Sequence, residues 1–108
     1  MRHFTVPFFD SKVILARTQA EFERACNSLG VEVPDKHADG VCVQADMSGG
    51  TTKFILAWMT KDPATLAHEA VHLAQFILLR AGIDPRDSNG ETMAYTVGWV
   101  VDRVLKYK

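Results

Sequence analysis

The spacing of hydrophobic and polar residues predicts strand and helix segments along the chain. Residues 4–9 (FTVPFF) form a short apolar run that predicts a strand, and residues 13–16 (VILA) continue as extended chain after a polar turn. Because Pro7 has no backbone N–H to donate to a neighbouring strand, the first strand is expected at an edge of a sheet.

A first helix is predicted between Thr18 and Gly30. Thr18 and Glu21 have the spacing of a capping box, in which each side chain accepts a hydrogen bond from the other residue's backbone N–H. Gly30 is typical of the residue that follows a helix. The apolar residues of one face are Phe22, Cys26 and Leu29. A polar loop over residues 30–40 is expected to follow.

A β-hairpin is predicted next. Residues 41–47 (VCVQADM) alternate between apolar and mixed positions, residues 48–50 (SGG) favour a turn, and residues 52–59 (TKFILAWM) predict the returning strand. The returning strand is apolar on both faces, so we expect it to be covered on both sides.

Two further helices complete the prediction. The first begins with Asp62 as N-cap and Pro63 as first helical residue, and it runs to about Ala81. Its apolar residues cover most of the circumference, which predicts a central, buried helix; they are Leu66, Ala70, Leu73, Ala74, Ile77 and Leu78. The last helix is expected over residues 88–105. The order β, α, ββ, α, α predicts an α+β fold with a small antiparallel or mixed sheet.

Composition limits the class of protein. A chain of 108 residues with 47% hydrophobic and 23% charged residues is expected to form one globular domain over residues 1–108. No apolar run approaches the roughly 18 residues of a membrane span, so no membrane interaction is expected. The formal net charge is −1 and the basic residues are scattered, which does not favour binding to nucleic acid.

The N-terminus and the cysteines favour a cytoplasmic location. Pro7 and Asp10 lie where a secretory signal peptide has its apolar core, so export is not expected. Cys26 and Cys42 lack CxxC spacing and lie in apolar segments, which indicates buried free thiols in a reducing compartment.

The segment that carries the clearest chemistry is TLAHEAVHLAQF, residues 65–76. Because residues four apart lie on one helix face, His68 and His72 can offer both imidazoles to a single metal ion. Glu69 lies about 100° around the helix, where its carboxylate can reach a water on that metal without displacing a ligand. Packing or capping without a metal is the alternative. Burying all three side chains in an apolar helix without partners is costly, which favours zinc.

A catalytic zinc site needs a third protein ligand, and Glu91 is the expected one. It lies 19 residues after His72, in the first turn of the next helix. Ser88 and Glu91 also have capping-box spacing, which is the alternative explanation for the glutamate. The small residues Ala94 and Gly98 fall on the face of Glu91 and predict close approach of the two helices. The other candidate ligands are His3, His37, Asp84 and Asp87.

HEAVH followed by GETMAY resembles the gluzincin branch of zinc metallopeptidases, whose motif is HExxH with a downstream glutamate. Residues 41–105 loosely resemble the minimal zincins, including ImmA/IrrE-type repressor-cleaving proteases, SprT-like proteins and short phage-encoded HExxH proteins. The resemblance implies a β-hairpin packed on a central HExxH helix, with a C-terminal glutamate helix. By position, it implies His68, His72 and Glu91 as ligands to one zinc ion per chain, with Glu69 as general base.

Tyr95 stands where larger gluzincins often have an aspartate that supports a ligand histidine. The resemblance therefore implies that its hydroxyl supports a ligand or stabilises an oxyanion. The alternative is an aromatic side chain packed in the core.

The function that follows is zinc-dependent hydrolysis of peptide bonds in a protein or peptide. Endopeptidase activity is expected over exopeptidase activity. Glu69 would take a proton from water and deliver it to the leaving amine. The substrate is expected to lie extended beside an exposed strand of the hairpin. Trp58 and Met59 are candidates for lining that cleft, and core packing is the alternative for each.

Two other functions stay open. The chain can be a non-catalytic, zinc-containing module that binds a partner, because a short chain leaves few residues for specificity pockets. It can also be a helical interaction protein without a metal. Glu69 favours catalysis, since a structural zinc site has no use for a base beside its ligands.

Overall fold

A four-stranded mixed sheet and three helices make up this α+β protein. A computed structural model describes residues 2–34 and 39–107. The strands are β1 (Arg2–Thr5), β2 (Lys12–Ala16), β3 (Gly40–Asp46) and β4 (Thr52–Trp58), and the helices are α1 (Gln19–Leu29), α2 (Pro63–Arg80) and α3 (Glu91–Lys106). None of the described helices has the length and apolar character that crossing a membrane requires.

The strands lie in the order β1-β2-β4-β3, so β1 and β3 form the two edges. β2 and β4 are parallel, and the connection between them includes α1 and the edge strand β3. β3 and β4 are antiparallel and run from the pair Gly40–Trp58 to the pair Asp46–Thr52, which confirms the predicted hairpin.

The predicted N-terminal strand is partly wrong. β1 ends at Thr5, and the backbone N–H of Val6 donates to the carbonyl of Ser11 at 3.0 Å to close a turn. Pro7 therefore lies in this turn and not in a strand. The apolar run continues past Thr5, but β1 pairs antiparallel with β2 and the chain must reverse between them. The prediction that the first strand lies at a sheet edge is confirmed.

The ends of α1 and the start of α2 follow the local sequence signals. Thr18 Oγ1 accepts a hydrogen bond from the backbone N–H of Glu21 at 3.1 Å, and Gly30 follows α1 with φ of 70°. The Glu21 carboxylate accepts from the backbone N–H of Arg17 at 2.8 Å and not from that of Thr18, so only one half of the predicted capping box forms. Asp62 Oδ1 accepts from the backbone N–H of Ala64 at 3.1 Å, directly before the first turn of α2. These caps satisfy backbone groups that have no partner within the helix.

β4 is buried on both faces, as predicted. One face contributes to a core shared with α2 and α3, whose largest buried residues include Phe54, Leu56, Leu73, Ile77 and Val100. The other face contacts α1, and that core includes Ile55, Ala57, Phe22 and Cys26. The sheet thus separates α1 from the α2–α3 pair.

The predicted start of α3 is wrong. Ser88 and Asn89 both have φ of 56° within a short 3-10 helix, and Gly90 with φ of 83° precedes Glu91. In the part of the chain described, no side chain caps α3, so the predicted capping box between Ser88 and Glu91 does not form. The left-handed residues reverse the chain after α2, a requirement of tertiary packing that local capping signals do not encode.

The predicted close approach at Ala94 and Gly98 is also wrong. Both residues are exposed, and a methyl group added at Gly98 would meet no described atom within 4 Å. The face of α3 that enters the core carries Thr96, Val100 and Val104 instead. The small residues therefore do not bring α3 closer to α2.

Candidate metal centre

His68 and His72 form a pair on the outer face of α2. Their Nε2 atoms are 3.2 Å apart, and the ring centroids are 4.9 Å apart with an interplanar angle of 71°. Two nitrogens bound to one zinc at about 2.0–2.1 Å with a tetrahedral angle are about 3.3 Å apart. The two imidazoles are therefore spaced to share a zinc ion. The same separation permits an N–H···N hydrogen bond when one ring carries its proton on Nε2 and the other carries its proton on Nδ1.

The expectation that both histidines are buried is wrong. The His68 side chain is 69% exposed and His72 is exposed too, whereas Glu69 is only 7% exposed. The helical period turns positions 68 and 72 away from the apolar face that enters the core. The cost of burying histidines consequently gives no argument for zinc, and the case for a metal rests on the spacing of the nitrogens.

Glu69 lies between α2 and the edge strand β3. Its Oε2 atom is 4.0 Å from His68 Nε2, so the carboxylate stands beside the histidine pair. Burial raises the pKa of the Cys42 thiol on β3, and the negative charge of Glu69 raises that pKa further. Glu69 is thus the member of the motif that links the histidines to the sheet.

A shallow groove runs along this junction. It has a volume of about 340 Å³ and is lined by Asp39, Gly40, Asp62, Ala64, Thr65, His68 and Glu69. Most of its lining comes from the start of β3 and the first turns of α2. The groove therefore opens beside the histidine pair and along an edge of the sheet.

The outer side of β3 offers backbone hydrogen-bonding groups. The N–H of Met59 donates to Asp39 O at 3.0 Å, and the N–H of Met47 donates to Thr51 O at 2.7 Å. Because bonded pairs alternate along antiparallel strands, the odd-numbered residues of β3 bond to β4 and the even-numbered residues point their N–H and C=O groups outward. Within residues 2–34 and 39–107, no strand pairs with that outer side. The outward-facing residues nearest the groove are Gly40, Cys42 and Gln44.

The third ligand is not in place among the described residues. No three side chains of His, Cys, Asp or Glu in residues 2–34 and 39–107 form a group that would hold a metal. Glu91 is exposed at the start of α3, whereas the end of α3 lies beside the start of α2 across a pocket lined by Leu66 and Val101. The helices are thus antiparallel, and Glu91 lies towards the far end of α2 from His68. Its role as a ligand stays a prediction.

The other candidate ligands are placed as follows. His3 lies on β1, at the opposite edge of the sheet from β3. Asp84 accepts hydrogen bonds from the Arg86 side chain and backbone, at 2.9 to 3.1 Å, and these bonds lower its pKa to about 2. Asp87 begins the 3-10 helix before α3. His37 falls outside the described residues, so its candidacy also stays a prediction.

The remaining predicted site residues are Tyr95, Trp58 and Met59. Tyr95 is 77% exposed on α3, so the alternative of a packed core aromatic is wrong. Trp58 is 3% exposed, and its indole N–H donates to Asp62 O at 3.0 Å. Met59 packs with the core on the α1 side of the sheet, opposite α2. Core packing thus accounts for both hairpin side chains, and a role of either in substrate binding stays a prediction.

Sequence reasoning missed Gly40 and Thr65, which border Glu69. A methyl group at Gly40 would lie 2.8 Å from Glu69 Cγ and 2.8 Å from Thr65 Cγ2. The available signal was a glycine directly before a predicted strand, which often marks a close approach.

Comparison with protein-family models, curated proteins and solved structures finds no match for this chain. The resemblance of HEAVH and GETMAY to the gluzincins therefore stays a hypothesis. Its support comes from the geometry of His68, Glu69 and His72 beside β3.

Proposed function

We propose that this protein is a small zinc-dependent peptidase with a zincin-like fold. His68 and His72 bind the metal, and Glu69 is the general base. The observation that carries the proposal is the 3.2 Å separation of the two Nε2 atoms, with the Glu69 carboxylate 4.0 Å from one of them. The α+β architecture supports it, because the hairpin packs on the helix that bears the motif.

The zinc ion and Glu69 have separate roles in the proposed hydrolysis. Zinc, when bound, supplies Lewis-acid activation of a water molecule and of the scissile carbonyl. Glu69 accepts a proton as the water oxygen adds to the carbonyl carbon, and it delivers that proton to the amide nitrogen as the C–N bond breaks. Its burial against β3 holds the carboxylate on the groove side of the histidine pair.

The substrate we propose is an extended segment of a protein. Such a segment would pair with the outward N–H and C=O groups of Gly40, Cys42 and Gln44, as a strand added to the sheet edge. Pairing of this kind uses main-chain groups on both sides of the scissile bond. It therefore favours cleavage within a chain over removal of terminal residues.

A second function, a zinc-containing module that binds a partner without catalysis, is favoured by one observation. The histidine pair is exposed, and no third ligand lies beside it in the described part of the chain. A side chain from a partner protein would then complete the metal site. In this case zinc would strengthen the complex, and no peptide bond would be cleaved.

The test is cleavage of unfolded proteins by the zinc-loaded chain, read by mass spectrometry. We expect cleavage that a chelator abolishes and added zinc restores, and that His68→Ala removes. His3→Ala is the matched control, because His3 is also exposed but lies at the other edge of the sheet. Zinc bound by the wild type without any cleavage would favour the partner-binding module. Cleavage that persists in His68→Ala would refute the proposed site.

A further inference from the structure

Gly40 lies where the edge strand β3 meets the side chain of Glu69. We propose that Gly40 is a positioning residue for Glu69: the missing side chain leaves the space that holds the glutamate stem between α2 and β3. The consequence for catalysis rests on the proposed peptidase function. The positioning itself is a property of the fold.

Three atoms would crowd a methyl group at position 40. The added carbon would lie 2.8 Å from Glu69 Cγ, 2.8 Å from Thr65 Cγ2 and 3.1 Å from Ala57 O. Carbon atoms in contact are normally about 3.5–4.0 Å apart. Ala57 O belongs to the backbone of the buried strand β4 and has little freedom to move. The Glu69 stem and the Thr65 methyl group are the parts that must shift.

Space, and not backbone conformation, explains the glycine at this position. Among the described glycines, five have positive φ, whereas Gly40 and Gly98 do not. Gly98 has open space around it, and a methyl group there would meet no described atom within 4 Å. Gly40 is therefore the glycine whose lack of a side chain is required by its neighbours.

Gly40 also lies between Glu69 and the edge of β3 that is proposed to bind the peptide. The Gly40 N–H and C=O groups point outward from β3, while its missing side chain faces Glu69 on α2. A substitution with alanine should therefore leave backbone pairing intact and displace the Glu69 carboxylate together with the Thr65 methyl group. For a peptidase, this predicts a loss in kcat with KM nearly unchanged.

A double-mutant cycle tests the positioning without any need for activity. Urea unfolding is measured for wild type, Gly40→Ala, Glu69→Ala and the double variant. We expect Gly40→Ala to lower the folding equilibrium constant about tenfold or more, as overpacking does. The loss should be clearly smaller in the Glu69→Ala background, where Cγ is absent. Equal losses in both backgrounds would overturn the inference. If Gly40→Ala does not fold, folding of the double variant would support the positioning of Glu69 by Gly40. Failure of both variants to fold would overturn that inference.

The activity arm uses zinc-loaded protein and an unfolded protein substrate. We expect Gly40→Ala to bind zinc like wild type and to lose about tenfold or more in kcat, with KM little changed. Gly98→Ala is the matched control and should keep full activity. Adding Thr65→Ser to Gly40→Ala removes the clash with Thr65 only, so activity should stay low. Full recovery in that variant, or wild-type kcat in Gly40→Ala, would refute the positioning role. An inactive wild type counts against the proposed function alone, because the cycle still decides the positioning.

Discussion

Replacing Glu69 with glutamine separates catalysis from folding at this site. Glutamine keeps the size of the side chain, but its neutral amide cannot act as a base near neutral pH. Loss of a general base typically costs about a hundredfold or more in rate, which is about 2.7 kcal/mol in the barrier. We therefore expect Glu69→Gln to bind zinc normally and to hydrolyse peptide bonds at least about a hundred times more slowly than wild type.

The effect on stability follows from the surroundings of the carboxylate. Glu69 is 7% exposed, and the one basic side chain within 4.0 Å of its carboxylate in the described residues is His68, which is 69% exposed and charged only when protonated. Exposed ion pairs contribute about 0–1 kcal/mol, whereas burying a charge is costly. We expect Glu69→Gln to be as stable as wild type or more stable by up to about 1 kcal/mol. For a domain of this size, that is a rise in Tm of up to about 4–8 °C.

The assay combines thermal unfolding, zinc analysis and turnover of an unfolded protein. Glu23→Gln is a suitable control, because Glu23 is exposed on α1, on the other side of the sheet. The control should match wild type in all three measurements. Wild-type turnover by folded, zinc-loaded Glu69→Gln would refute the assignment of the base. A loss of about 2 kcal/mol or more in stability would show that the carboxylate has a structural role instead.

Glu91, Gly98 and the two cysteines each allow a separate test. As the predicted third ligand, Glu91 should be needed for zinc, so Glu91→Ala should weaken zinc binding by orders of magnitude in calorimetry. Stability should change little, because Glu91 is exposed and caps no described helix. Unchanged zinc affinity would place the third ligand elsewhere, and His37→Ala is the parallel test of His37. Gly98→Ala should raise the free energy of unfolding by about 0.5–1 kcal/mol in urea, since the site is open and helical, and any loss would contradict the placement. Burial raises the pKa of the Cys26 and Cys42 thiols above 9.0, so the folded thiols stay protonated when unfolded thiols ionise. The two buried neutral thiols therefore contribute fully to stability below about pH 9, and this contribution declines as the pH rises above about 9. Iodoacetamide at about pH 9 should label the thiols of the native protein more slowly than those of the unfolded protein. Equal labelling rates would refute the burial.

The sequence correctly predicted the helix caps that depend only on neighbouring residues. The capping of α1 by Thr18 and of α2 by Asp62 depends on a few neighbouring residues, and both caps form. The strand over residues 4–9 and the capping box at Ser88 failed because tertiary contacts decide these positions. β1 must turn before it pairs with β2, and the loop before α3 must reverse the chain.

Sequence patterns predicted only those features of the candidate site that lie within a single helix. The shared face of His68 and His72 follows from the helical period alone. Their exposure depends on which side of α2 the sheet and α3 cover, and an apolar pattern around most of the helix does not specify that side. The contact of Gly40 with Glu69 depends on the packing of β3 against α2, a relation between distant segments that no local spacing encodes.

The most direct test of the proposed metal centre is the zinc content of the purified chain. Protein is incubated with zinc, dialysed against metal-free buffer and analysed by mass spectrometry, alongside His72→Ala and the control His3→Ala. We predict about one zinc per chain in wild type and in His3→Ala, and none in His72→Ala. A folded wild-type protein that stays free of zinc after this treatment would contradict the proposed metal centre and the catalysis built on it.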